Sequence, residues 1–149
     1  MEEKPRIVII LGPTAVGKTG LALDLASAFD GEIVSADSMQ VYRHLDIGTS
    51  KPTREERERV PHHLIDIVDP DGEFSAALFS RQAGGIIGDL HGRKTVIVAG
   101  GTGLYIRALT GGIIEGPGPD EGLRKIFRER LESEDRETLY ARLEARDPE

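Results

Sequence analysis

An aliphatic run at Arg6–Leu11, RIVIIL, leads straight into GPTAVGKT at Gly12–Thr19, and the apolar residues that follow recur at helical spacing as far as Phe29. A glycine, four free positions and then Gly-Lys-Ser/Thr is the phosphate-loop pattern. No other feature constrains the fold as much. The loop works only between a strand and a helix, where backbone N–H groups and the helix dipole can surround an anion. Gly12, Pro13, Thr14, Ala15, Val16, Gly17, Lys18 and Thr19 are therefore expected to form a diphosphate or nucleotide site. Lys18 would reach terminal phosphate oxygens, and the Thr19 hydroxyl would hold Mg²⁺. The competing reading, an ordinary glycine-rich turn, is disfavoured because both pattern and context match.

The rest of the chain extends the same architecture. RIVIIL reads as a strand buried on both faces, and GEIVSAD (Gly31–Asp37) and TVIVAGG (Thr95–Gly101) read as two more strands. HHLIDIV (His63–Val68) is a further candidate strand. Phe74–Leu90 reads as a helix weakened by Gly84 and Gly85. Strands alternating with helices predict an α/β fold, an open parallel sheet flanked by helices of the P-loop nucleoside-triphosphatase type. Glycine and proline cluster over 111–122, which predicts a boundary between a core, residues 1–115, and a second part, residues 116–149. There Leu123, Ile126, Phe127 and Leu131 share one helical face and Leu139 and Leu143 another, a helical pair joined around Ser133–Asp135.

At 149 residues the chain has room for one domain and a small appendage, not for two full domains. The net charge of −7 gives no global pull toward nucleic acid or an anionic membrane, though a local basic site remains open. The chain has no cysteine, which excludes disulfides and thiolate metal sites and makes a cytoplasmic setting the plain expectation. No apolar stretch approaches the ~20 residues of a membrane span, and the start, MEEKPRIVII, has no signal-peptide pattern.

A nucleoside triphosphatase also needs an acid at the end of a hydrophobic strand, to hold Mg²⁺ through water. TVIVAGG ends in glycines instead. The acid closes the second strand, at Asp37, where the carboxyl ends of the strands line the ligand crevice of an open α/β sheet. Asp37 is thus either a group facing the loop's ligand or a helix cap for MQVYR, and the residues alone leave both open. A GTPase reading fails for lack of an Asn-Lys-x-Asp segment.

Four segments stand in order: GPTAVGKT (Gly12–Thr19), SADSMQVYRHLDIGTSKPT (Ser35–Thr53), PHHLIDIVDP (Pro61–Pro70) and VAGGTGLYIRAL (Val98–Leu109). Together they closely resemble the tRNA dimethylallyltransferases, or tRNA isopentenyltransferases. The resemblance implies a donor, dimethylallyl diphosphate, and an acceptor, the exocyclic N6 of the adenine beside the anticodon in tRNA. It implies that Asp37 is the base that takes the amine proton, with Thr102 near the acceptor base as a second catalytic residue. It also implies that Asp37, Ser38, Met39, Gln40, Thr102 and Arg124 contact the anticodon stem-loop of tRNA, and that Thr14 touches the diphosphate. The competing reading of Gly100–Gly103 is a tight strand-to-helix turn, compatible with a site; that of Arg124 is an exposed surface charge. His62 and His63 lack a metal-site pattern and are expected at a strand start. Lys51 and Thr53–Arg59 read as a solvated helix face, with phosphate binding as the alternative.

By the same resemblance, family members run to about twice this length, and the helical segment from Pro119 opens an inserted tRNA-gripping domain. The chain is therefore expected to be an incomplete form, and a monomer. The alternatives are an adenylate-type isopentenyltransferase, a P-loop metabolite kinase and a non-catalytic diphosphate-binding remnant. The Ser35–Thr53 run and the helices after Pro119 favour the tRNA-modifying type.

Overall fold

The computed structural model describes residues 5–112 and 120–148. The chain divides into two units, Met1–Ile113 and Ile114–Glu149; the expected boundary at residues 115 and 116 lies outside the described residues.

The first unit is built on a four-stranded parallel sheet in the order β1-β4-β2-β3: β1 (Ile7–Leu11), β2 (Gly31–Ser35), β3 (His62–His63) and β4 (Thr95–Gly100). Its helices are α1 (Lys18–Ala28), α2 (Arg54–Arg59), α3 (Ala76–Leu90) and α4 (Gly103–Gly111). Because strand side chains alternate in direction, β2 and β4 each supply both faces of the core. Ile33 and Ile97 pack with Ala22, Leu23 and Ala26 of α1. Val34, Val96 and Val98 pack on the other face with Phe79 and Ala83 of α3 and Tyr105 and Ile106 of α4. Phe79 and Tyr105 stack with ring centroids 4.5 Å apart. Helices therefore cover both faces, the arrangement the alternating elements predict.

Three sequence expectations need correction. β1 is an edge strand rather than a strand buried on both faces: Val8, Ile9 and Leu11 are exposed. Burial belongs to the central strand β4, and an aliphatic run cannot itself report its place in the strand order. The candidate strand His63–Val68 is reduced to His62–His63 and a single bridge between Tyr42 and Val68. Leu64 (φ 61°) and Asp66 (φ 56°) are left-handed, a conformation that no strand sustains. Lys51 lies outside any helix, and its side chain is buried.

In the first unit two helix starts are fixed by side-chain oxygens. Ser75 accepts from the Leu78 N–H, so α3 begins two residues later than Phe74. Thr53 and Glu56 form a capping box at α2. Gly84 and Gly85 do not interrupt α3. In the second unit α5 (Glu121–Ser133) and α6 (Arg136–Glu144) form the expected helical pair, capped by Asp120 and Asp135. The predicted face of α5, Leu123, Ile126, Phe127 and Leu131, is exposed. Among the described residues no helix is long and apolar enough to cross a membrane.

Candidate functional site

The strand β1 hands the chain to the loop at Gly12, and α1 begins at Lys18. Between them Ala15 (φ 68°) and Gly17 (φ 86°) take left-handed backbone, with Gly17 in the N-cap position of α1. Gly17 suits this conformation, since it has no Cβ to clash. No side chain caps the helix, so its first N–H groups are left for an anion rather than for a protein oxygen. Lys18 folds back over the loop, donating from Nζ to the Pro13 carbonyl at 2.5 Å.

Thr14, Ala15, Gly17, Lys18 and Thr19 line one wall of a cleft of about 360 Å³. Asp37, Met39 and Gln40 line the opposing wall, and Ile33, Ala99 and Gly100 contribute from the strands. The phosphate loop and the strand-ending acid, separate in sequence, thus meet in one cavity at the carboxyl ends of β2 and β4, where open α/β sheets bind ligands.

The Asp37 wall is held by bonds that reach across the sheet. Asp37 Oδ1 accepts from the Met39 N–H at 2.9 Å and the Gln40 N–H at 3.4 Å, so it organises a turn. The segment after it forms turns and no helix, so the carboxylate makes the local bonds of a cap with no helix to cap. The Ser38 N–H donates to Thr102 Oγ1 at 2.9 Å, and the Thr102 N–H donates to the Ala36 carbonyl at 3.1 Å. Thr102 is thereby locked beside the Asp37 loop. Gly100 permits this approach: a Cβ on it would overlap the Ala36 carbonyl.

Gln40 is a clamp. Its Oε1 accepts from Ser35 Oγ at 2.8 Å, and its Nε2 donates to the Thr49 and Ser50 carbonyls at 3.1 and 3.0 Å. Met39 is exposed on the same wall. Gly12, Pro13 and Val16 shape the loop from outside the cleft lining. Arg124 belongs to the second unit, on the surface of α5, where Nη1 pairs with Glu121 at 2.7 Å.

Sequence reading missed several wall residues: Ser35, Thr49, Ser50, Pro52 and His62 all reach the cleft. His62 sits at the start of β3 as expected; its Nδ1 lies 2.7 Å from the Val60 carbonyl, and burial pushes the imidazole below its ordinary pKa despite that hydrogen bond. His63 pairs with Glu32 at 2.6 Å across β2 and β3.

Among the described residues no group of three or more His, Asp or Glu could hold a metal ion by itself. The donor set suits Mg²⁺ in another form. This ion keeps several waters and phosphate oxygens and needs only one or two protein oxygens. Thr19, on the cleft wall, meets that requirement.

Residues 40–149 match the IPP transferase family. The chain is 58% identical to tRNA dimethylallyltransferase 2 of Syntrophus aciditrophicus over 97% of its own length and 47% of that protein's. It is 56% identical to tRNA dimethylallyltransferase 2 of Geotalea uraniireducens, over 99% and 48%. The chain spans about half the length of these relatives. Among solved structures, the full-length tRNA isopentenylpyrophosphate transferase of Bacillus halodurans matches with a TM-score of 0.72 at 44% identity, covering 98% of this chain and 49% of the other. A eukaryotic dimethylallyltransferase acting on tRNA matches with a TM-score of 0.79 at 35% identity, covering 97% and 36%.

Proposed function

The chain belongs to the IPP transferase family, and from that premise we propose that it carries the donor site and the base of a tRNA dimethylallyltransferase. The reaction is transfer of a dimethylallyl group from dimethylallyl diphosphate to N6 of the adenine beside the anticodon. One observation carries the reading: the phosphate loop and Asp37 line the same cleft.

The chemistry follows from that juxtaposition. The allylic C1–O bond of the donor breaks, and negative charge builds on the leaving diphosphate. Loop N–H groups, and the Lys18 ammonium once it turns from the Pro13 carbonyl to the diphosphate, stabilise that charge as it develops. Mg²⁺, held through Thr19, would neutralise further phosphate charge. The adenine amine is a weak nucleophile, because its lone pair is delocalised into the ring. As C1–N6 forms, Asp37 takes the departing N6 proton. No γ-phosphoryl group moves, which accounts for a central strand that ends in glycines and not in an acid.

Thr102 sets the Asp37 loop from below and stands near the acceptor base. Ser38, Met39 and Gln40 present that loop to tRNA, and Arg124 adds a tRNA contact from the helical unit, which is the start of the tRNA-binding insertion. The protein acts as a cytoplasmic monomer.

The test combines binding and turnover. Calorimetric titration of the chain with dimethylallyl diphosphate and Mg²⁺ is expected to show binding stronger than that of ATP; preference for ATP would instead favour a metabolite kinase. In the full-length protein, Asp37→Ala is expected to abolish transfer to an anticodon stem-loop while donor binding persists. Equal collapse of donor affinity would make Asp37 a metal or structural residue.

A further inference from the structure

Lys51 is a buried charged side chain that the reaction above does not use. Its side chain is 3% exposed, and the ammonium donates to the Tyr42 carbonyl at 2.7 Å, Asp46 Oδ1 at 2.9 Å and Asp66 Oδ1 at 2.6 Å. An ammonium has three N–H donors, and all three are committed to protein oxygens. Phosphate binding is therefore not its task. The other oxygen of Asp66 accepts from Arg57 Nη1 at 2.6 Å, and Arg57 Nε donates to the Pro52 carbonyl at 3.0 Å.

These contacts close a loop. The chain leaves the sheet after Ser35 and re-enters it at His62, and Lys51, within this excursion, ties back to Tyr42 and Asp46. Asp66 anchors it to the strand-like segment alongside: the Asp66 N–H donates to the Gln40 carbonyl, the Ile67 N–H to the Val41 carbonyl and the Arg43 N–H to the Val68 carbonyl, at 3.1, 2.8 and 2.8 Å. Within this excursion and its anchor, His44, Ser50, Leu64 and Asp66 all hold left-handed φ angles of 51–63°. Non-glycine residues keep such angles only where surrounding bonds over-determine them. A buried ammonium bonded to Tyr42, Asp46 and a half-buried Asp66 can supply that constraint.

We propose that Lys51 is the positioning residue of the transfer: by joining Tyr42, Asp46 and Asp66 it fixes the Asp37–Lys51 loop and so the direction in which Asp37 offers its carboxylate to the acceptor amine. This inference rests on Asp37 being the base. It assigns to the Lys51 group a role in the chemical step and none in holding the donor.

The experiment is a kinetic comparison of Lys51→Met, Asp66→Asn and Asp37→Ala in the full-length protein, with dimethylallyl diphosphate and an anticodon stem-loop. Lys51→Met removes the charge at nearly constant length, and Asp66→Asn keeps the shape of the anchor. Both are expected to lower kcat by about 100-fold, the scale of a small misplacement of a reacting group, with KM for the diphosphate unchanged. Hydrogen exchange of the Asp66, Ile67 and Arg43 amides is expected to quicken while the α1 amides keep their protection. An unchanged kcat in either variant overturns the proposal. So does parallel loss of donor affinity and transfer in both, which would make the group a general scaffold. An active Asp37→Ala enzyme would instead strike the underlying reading of the base, and an inactive one beside an active Lys51→Met would strike only the positioning role.

Discussion

The two walls of the cleft are built by opposite means. The phosphate loop is local: eight consecutive residues between β1 and α1, shaped by left-handed backbone at Ala15 and Gly17. The facing loop is assembled from a distance. Ser38 is held by Thr102, 64 positions on, and Lys51 by Asp66, 15 positions on. A wall of the first kind survives changes elsewhere in the chain, whereas one of the second kind can be dismantled by a residue that never touches a substrate.

The largest expected effect comes from Gly100→Ala. A methyl at this position meets the Ala36 carbonyl at the point where β2 turns toward Asp37. Overpacking against backbone is expected to destabilise the first unit by about 3 kcal/mol, measurable by denaturant melts, and to disturb the Asp37 loop before the phosphate loop in residue-resolved exchange. Equal disturbance of both walls would erase the contrast between them. Lys18→Ala is expected to act on the local wall only. Diphosphate binding should weaken by about 1.5–3 kcal/mol, the scale for losing a charged hydrogen-bond partner, with exchange in residues 38–51 unaltered in calorimetry-matched samples.

The smallest effect is one of pH. Burial raises the pKa of Asp66, yet hydrogen bonds from Lys51 and Arg57 outweigh it and hold the carboxyl below its ordinary value. Burial also opposes the Lys51 charge, and its bonds to Asp66 and Asp46 outweigh that in turn, raising its pKa. A depressed carboxyl contributes stability that is present above its unfolded pKa and lost as pH falls through the folded one. A raised ammonium contributes below its unfolded pKa and loses its part as pH rises through the folded one. The remote wall is thus held from the acidic side of the usual carboxylate range to the basic side of the usual lysine range. Acid titration followed by NMR is expected to release residues 38–51 before the phosphate loop, and Asp66→Asn should remove that ordering.

The same contrast governs what the sequence discloses. The phosphate loop is legible because every residue that shapes it lies inside the pattern, and Asp37 is legible because a strand's carboxyl end is a place for ligands. The central position of β4, the edge position of β1 and the burial of Lys51 are not legible. Each depends on partners that composition and periodicity do not name. Lys51 precedes a charged run that does become the exposed helix α2, and only Asp66, on a segment expected to be a strand, draws it inward. The left-handed φ angles at Leu64 and Asp66 carry no local signature, since neither residue is glycine. Gln40 was singled out for a nucleic-acid contact, while its amide bonds show what it does for the loop itself.

The edge position of β1 carries a further consequence. Among the described residues its backbone pairs only with β4, and its side chains are the aliphatic ones of a core strand. An apolar strand with one free row of N–H and C=O groups is a template for sheet extension. Its five-residue length limits that template, but no lysine or proline stands within Ile7–Leu11. Sheet extension from Ile7–Leu11 is therefore the association expected of this chain in concentrated samples, and a rise in β-structure by circular dichroism is the signal that checks it.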